Sequence, residues 1–325
     1  MSERPTSPHD AVCRRVLGRP EDAASELRAI LPEEFAALVD WTSLKQLPTG
    51  FVSAHLTARY SDLLYSISVA GQETYLYCLI EHQSSTDKLM ALRLMEYMVA
   101  IWTRYAAKNP GTITLPLIVP LVIHADPKGR CWSAATDLSE LFALTPRMRA
   151  AMGELVPRMR YLLDDIVATD LPELRKRQLT PAVLVMLYAL KVAPGRHDAA
   201  ARLLPLVDDV AAMFAGPNGR SDLQALVEYI ITVSDTDPSG FDPLFDRLGA
   251  QAKEVVVTTA EKLIARGEAR GEVRGRVNTL LRQLDRKFGG VPETVVARVR
   301  AADTAELDRW TDQILTATTL DETLS

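Results

Sequence analysis

The segment from Tyr60 to Gln83 constrains the fold more than any other. Leu63, Tyr65, Ile67 and Val69 alternate with Asp62, Leu64, Ser66 and Ser68. That two-residue period belongs to a strand with one buried face. Ala70-Gly71-Gln72-Glu73 is a turn signal, and the run from Thr74 to Gln83 is rich in Tyr, Leu and Ile. The two runs predict a hairpin. From Thr86 to Tyr105 the period changes: Leu89, Met90 or Leu92, Leu94, Tyr97, Met98, Ile101, Trp102 and Tyr105 recur at steps of three and four, as on an amphipathic helix. Ser84, Ser85 and Thr86 offer N-caps, Asp87 suits the first turn, and Asn109-Pro110-Gly111 stops the helix. Thr112 to His124 reads as a buried strand, although Pro116 and Pro120 count against full hydrogen bonding. Upstream, Pro8 to Trp41 reads as helices broken at Pro20 and Pro32. Downstream of Ser133 the chain is mainly helical, with one further strand predicted within Arg158 to Ile166. The fold class expected is α/β: a mixed sheet flanked by helices, then a mainly helical C-terminal region. The expected division is a core over 1–135, a helical continuation over 136–250 and a charged helical tail over 251–325.

The chain has 325 residues, 47% of them hydrophobic and 24% charged, enough to bury a sizeable core. A net charge of −5 argues against a protein coated by nucleic acid, so any such contact must come from a local basic surface or a bound metal. Cys13, Cys78 and Cys131 are widely spaced and form no CxxC pair, which points away from a disulfide framework and towards a reducing, cytoplasmic setting. No run approaches the ~18 consecutive apolar residues of a membrane span, and the N-terminal ten residues lack an apolar signal core.

If Gly71 and Gln72 are the two loop residues, Ala70 pairs with Glu73 and Asp62 falls directly opposite Glu81, roughly 5 Å away on the same face. Gln83 shares that face, two residues further along. Two carboxylates so placed repel unless a cation lies between them. A divalent ion, Mg²⁺ with Mn²⁺ or Ca²⁺ as substitutes, fits that need. The competing reading is a pair of solvated acids at strand ends. A register slip of one residue would move Asp62 to the other face.

Several runs occur together in order: Leu79-Ile80-Glu81-His82-Gln83-Ser84-Ser85, Met90-Ala91-Leu92-Arg93-Leu94-Met95-Glu96-Tyr97-Met98, His9-Asp10, Leu31-Pro32, Ser61-Asp62-Leu63-Leu64-Tyr65, Leu115-Pro116 to Val122-Ile123, and Tyr161-Leu162-Leu163-Asp164-Asp165. Over roughly Pro8 to Ala215 the chain thereby resembles the Rpn/YhgA-like family of recombination-promoting nucleases. The resemblance implies a PD-(D/E)xK, restriction-endonuclease-like core, divalent-metal dependence and DNA as substrate. It makes Asp62 and Glu81 the metal-binding acids and Gln83 the replacement for the usual lysine, with the backbone carbonyl of His82 as a further metal contact. Glutamine brings no positive charge, so Arg93 on the following helix is the candidate to supply it. The family's usual Tyr-His-Gly strand end is here His124-Ala125-Asp126, which puts a role for that end in doubt.

Arg93, Glu96 and Tyr97 share a helix face by their i, i+3, i+4 spacing, either as supports of the site or as an ion pair beside a core tyrosine. The His82 side chain reads as a packed strand-end histidine, His9-Asp10 as an orienting or capping pair, and Asp164-Asp165 as a second metal site or a turn. Arg266, Arg270, Arg274, Arg276, Arg282, Arg286 and Lys287 could track phosphates, but Glu268 and Glu272 are interleaved, which favours a solvated helix face. Gly267, Gly271 and Gly275, at four-residue steps, would allow close helix approach and homo-oligomers through the C-terminal helices. Val291 to Leu320 reads as a helical hairpin anchored by Trp310. Three functions compete: a metal-dependent DNA endonuclease, a nuclease-fold accessory protein that binds DNA with little or no turnover, and a helical scaffold.

Overall fold

The structure, a computed structural model, describes residues 7–48, 61–81 and 86–325. Within it, the side chains at 61, 62, 73, 77–81, 238, 266 and 270 lie outside the description. Helices α1 (Pro8–Leu17), α2 (Pro20–Ile30) and α3 (Glu33–Ala36) precede strand β1 (Val39–Leu47). The hairpin β2 (Ser61–Val69) and β3 (Gln72–Glu81) leads to α4 (Met90–Lys108) and β4 (Leu117–His124). Next come α5 (Pro146–Met152), β5 (Leu162–Asp165), α6 (Leu171–Lys176), α7 (Pro181–Val192), α8 (Ala199–Arg202), α9 (Val207–Ala215), α10 (Gly219–Val233) and α11 (Asp242–Leu248). The chain ends in α12 (Ala250–Phe288), α13 (Glu293–Ala301), α14 (Thr304–Gln313) and α15 (Leu320–Thr323).

Among the described residues five strands form one sheet in the order β1-β2-β3-β4-β5. Its first half is antiparallel and its second half, β3-β4-β5, is parallel. This is the α/β, mixed-sheet architecture expected, with a mainly helical C-terminal region, and it is consistent with a restriction-endonuclease-like core. The sheet is covered on both faces because alternate residues on its strands are apolar on both. Leu63, Tyr65, Ile67, Leu76, Leu121 and Ile123 pack into the larger core with α1, α2, α7, α9 and α10. Helix α7 is apolar around its whole circumference and buries Val183, Val185, Leu187 and Leu190 completely, as a central core helix must. Leu64, Ile118 and Val122 pack the other way, against Met90, Ala91, Leu94, Tyr97 and Ile101 of α4.

Three expectations need correction here. Residues 39–47 are a strand, not the end of a helix. Its pairing with β2 shifts between Asp40 and Lys45. In that bulge the Thr42 N–H and hydroxyl both donate to Asp40 Oδ1, and the Ser68 N–H donates to Ser43 Oγ. The extra residues break the two-residue period that would have marked the strand. Second, α4 starts at Met90 because Asp87 Oδ1 takes the Leu89 N–H, 2.8 Å away. The expected caps Ser84 and Ser85 lie outside the described residues. On α4 Met90 is buried while Leu92 is 43% exposed, which settles which of the two faces the core. Third, the strand within Arg158 to Ile166 is only Leu162–Asp165.

The chain divides into two compact units, Met1–Val257 and Thr258–Ser325. In the second, Val277, Leu280, Leu284, Val299, Leu307, Trp310 and Ile314 form a separate core. Trp310 is 1% exposed and carries the Arg298 guanidinium over its ring, 5.4 Å from the centroid. The N-terminus of α14 is held by a capping box between Asp303 and Glu306. A Cβ built at Gly267, Gly271 or Gly275 meets no atom within 4 Å, so among the described residues nothing packs closely against these positions. Among the described residues no helix is long and apolar enough to cross a membrane.

Candidate functional site

The hairpin turns one residue earlier than expected. Val69 pairs with Gln72, so Ala70 and Gly71 are the loop, and Asp62 lies opposite Leu79 rather than Glu81. Ala70 and Gly71 both have positive φ, 48° and 79°, the pair of left-handed residues that a type I′ turn needs and that matches the twist of the strands. The Ala70 N–H is meanwhile taken by the Leu38 carbonyl at 2.9 Å, which fixes the loop beside the start of β1. The register has moved by two residues, so parity is kept. Positions 62 and 81 belong to the same side of the pleat, but diagonally, with a separation of roughly 7–8 Å in place of direct opposition. The side chains of Asp62 and Glu81 are outside the description, as are His82 and Gln83 altogether.

The parallel half of the sheet brings further polar groups to this end. Glu81 on β3 pairs with His124 on β4, and His124 pairs with Asp165 on β5. All three strands therefore end in one row, on the parity of Leu79, Val122 and Leu163. His124 is fully buried. Its Nε2 lies 3.1 Å from the Arg130 carbonyl, and its ring meets the edge of Trp132, with centroids 4.9 Å apart. Asp165 Oδ2 accepts the Trp132 N–H at 2.7 Å. His124 Nδ1 and Asp165 Oδ1 are buried with no hydrogen-bond partner. Asp126, just beyond β4, is also buried and accepts the Lys128 N–H and the Arg130 guanidinium, so it orders the loop that carries the Arg130 carbonyl. From the sequence alone a role for this strand end is in doubt. Its one visible signal is the polar His124 and Asp126 closing an otherwise apolar run.

Helix α4 covers the same face. Arg93 donates to Asp87 Oδ2 at 2.6 Å and is 15% exposed, so it is held beside the first turn of α4. Tyr97 is buried in the core below it, while Glu96 is exposed to solvent, so the three residues expected to act together are divided between site edge, core and surface. Tyr161 packs into the same cluster, accepts the Trp132 indole N–H and donates to the Ala135 carbonyl. Burial, above all, pushes its hydroxyl pKa up to about 12. At the far end of α4 a cavity of about 350 Å³ is lined by Leu47, Leu64, Tyr75, Arg104, Tyr105 and Lys108. Tyr75 and Tyr105 stand edge to face there, with centroids 6.3 Å apart.

The other sequence candidates are structural. Asp164, one residue from Asp165, points into the opposite core and is clamped by Arg177 through two 2.9 Å bonds. His9 Nδ1 lies 2.9 Å from the Tyr229 hydroxyl and joins α1 to α10. In the tail, Arg276 is ion-paired with Glu272 and Asp308, which supports the solvated-face reading for that residue. Among the described residues no group of three or more His, Cys, Asp or Glu side chains is placed to hold a metal.

Comparison with known proteins agrees with the sequence resemblance. The chain is 31% identical over 277 residues to the Escherichia coli K12 protein "Inactive recombination-promoting nuclease-like protein RpnE", an alignment covering 82% of this chain and 85% of that one. It is 29% identical to "Recombination-promoting nuclease RpnA" of the same strain, over 82% of this chain and 87% of that one. It is 28% identical to "Recombination-promoting nuclease RpnD" of Escherichia coli O157:H7, over 79% and 94%. No solved structure matches the chain. The profile of the family described as "Putative transposase, YhgA-like" matches residues 7–217, which spans β1 to β5 and the helices from α1 to α9, and the chain belongs to that family.

Proposed function

We propose that this chain is a divalent-metal-dependent DNA endonuclease whose site lies at the end of the sheet where Asp62, Glu81 and His124 come together. The observation that carries this reading is the hairpin register. Asp62 and Glu81 have the same pleat parity on adjacent strands, at the end where two parallel strands also terminate in polar residues. Two carboxylates and a backbone carbonyl are oxygen donors, and such a set suits a hard cation. Asp62, Glu81 and the carbonyl of His82 would hold the ion. When bound, such an ion lowers the pKa of its water and stabilises the charge that builds on a phosphodiester.

The chain's own residues supply the rest. Gln83 is the polar group that orients the attacked phosphate. Arg93, fixed by Asp87, offers the positive charge that Gln83 lacks. Helix α4 rises about 1.5 Å per residue, so Arg104 and Lys108 sit about 17–23 Å from Arg93 along one face. In this reading the two cations contact the DNA backbone as it leaves the site. A local basic track of this kind is needed because the net charge of −5 repels DNA overall. The names of the relatives RpnA and RpnD support nuclease activity and a part in recombination.

The second reading is an accessory protein that binds DNA and turns over slowly or not at all. Gln83 in place of a lysine favours it, and one close relative is named inactive. Supercoiled plasmid incubated with Mg²⁺ or Mn²⁺ separates the two. Nicking by the wild-type chain, lost in Asp62→Ala and Glu81→Ala with folding unchanged, is the expected result. A folded wild-type chain that leaves the plasmid intact in either metal overturns the endonuclease.

A further inference from the structure

The ends of β4 and β5 carry an arrangement that the two acids of the hairpin do not explain. The Arg130 carbonyl can only accept, so His124 Nε2 carries the hydrogen of the 3.1 Å bond between them. In the neutral ring Nδ1 is then a bare lone pair. Asp165 Oδ1 is also a bare acceptor, because the Trp132 N–H is bonded to Oδ2. Both atoms are buried and have no partner. They belong to residues paired in register on adjacent parallel strands, so the two side chains leave the sheet on the same face.

Leaving two polar atoms buried and unpaired costs about 1–3 kcal/mol each. Two lone pairs cannot satisfy one another. A cation between them would satisfy both, and Glu81, next to His124 in the row, brings a second acid to the same end of the sheet. The groups that would orient these two ligands are already in place. A ligating histidine characteristically donates its other ring nitrogen to a carbonyl or carboxylate, which fixes its tautomer and ring plane. Here that partner is Arg130, whose loop is held by the buried Asp126 carboxylate. The edge of Trp132 fixes the ring from the side, and the Trp132 N–H fixes Asp165.

We infer that His124, through Nδ1, and Asp165, through Oδ1, are ligands of a divalent cation at the Glu81 end of the sheet, so that the metal site spans β3, β4 and β5 with one nitrogen donor. The inference rests on the metal-dependent reading above and extends it to two residues outside the hairpin. A nitrogen ligand predicts a preference for Mn²⁺ over Mg²⁺, since imidazole suits transition metals better than magnesium.

Mn²⁺ binding to the full chain tests this without any nuclease assay. Pulsed electron paramagnetic resonance of bound Mn²⁺ is expected to show coupling to an imidazole nitrogen. That coupling should persist in His82→Gln and vanish in His124→Gln, whose amide can still donate to Arg130. Calorimetric titration with Mn²⁺ should give a Kd at least about tenfold weaker in His124→Gln and in Asp165→Asn. Asp165→Asn keeps an acceptor for Trp132 and guards against a His124 variant that fails to fold. Bound Mn²⁺ with no nitrogen coupling, or wild-type affinity in both variants, would mean that the pair merely holds a water and overturns the inference alone. A chain that binds no Mn²⁺ at all removes the metal-dependent function together with it.

Discussion

Arg177 holds both oxygens of Asp164 at 2.9 Å, in a core where Asp164 is 3% exposed and the Glu26 carboxyl lies fully buried beside it. One guanidinium thus serves two buried acids between α2 and the end of β5. Removing it as Arg177→Ala leaves Asp164 buried without a counter-charge. The expected loss is about 3–5 kcal/mol of stability, read as a lower midpoint in chemical denaturation. A change below about 1 kcal/mol would show that the pair is not needed.

Glu26 gives this cluster a pH dependence. Burial, and then the neighbouring charge of Asp164, raise its pKa well above the ordinary carboxylate value. Below about pH 4.3 the folded and unfolded chains both hold the proton, and the contribution is fully present. As pH rises from there the unfolded chain ionises first, so stability falls, by at most about 1.4 kcal/mol per pH unit, until the folded pKa is passed. Glu26→Gln should therefore raise the Tm at pH 7–8, with the gain shrinking towards pH 4.5. A gain that is the same at both ends of the range would count against this assignment.

The hairpin turn places an alanine in the left-handed region, with φ 48°. Asparagine tolerates that conformation far better, and Asn-Gly is the preferred type I′ pair. Ala70→Asn should stabilise the fold by about 0.5–1 kcal/mol and leave the register of Asp62 and Glu81 unchanged. Destabilisation would show that the turn is not of this type.

Lys108 and Arg104 offer a separate check on the proposed DNA track. Lys108→Ala should weaken binding to a short duplex similarly for all sequences and reduce the slope of log K against log salt by about one. Fluorescence anisotropy in Ca²⁺ at several salt concentrations measures it. An unchanged slope would place the DNA elsewhere.

In the C-terminal unit, Trp310 is the largest fully buried side chain of its core. Trp310→Ala should cost that unit about 3–5 kcal/mol. Limited proteolysis would then cut within residues 258–325 at much lower protease concentration than in the wild type. Equal resistance would mean that the core does not depend on its anchor.

The sequence by itself determined the hairpin, the helix that follows it and the parity that puts Asp62 and Glu81 on one side of the pleat. These depend on local period, and a two-residue period keeps its faces even when the register moves by two. It could not choose between Ala70-Gly71 and Gly71-Gln72 as the loop, because either pair makes an acceptable turn and only the contact with Leu38, just ahead of β1, separates them. It hid β1 itself, since the bulge at Asp40–Lys45 spoils the alternation. The pairing of His124 with Asp165, and the division of Asp164 and Asp165 between two cores, were decided by the tertiary structure. Those partners lie about forty residues apart on strands joined by a long connection, and a parallel pair has no turn in the sequence to announce its register.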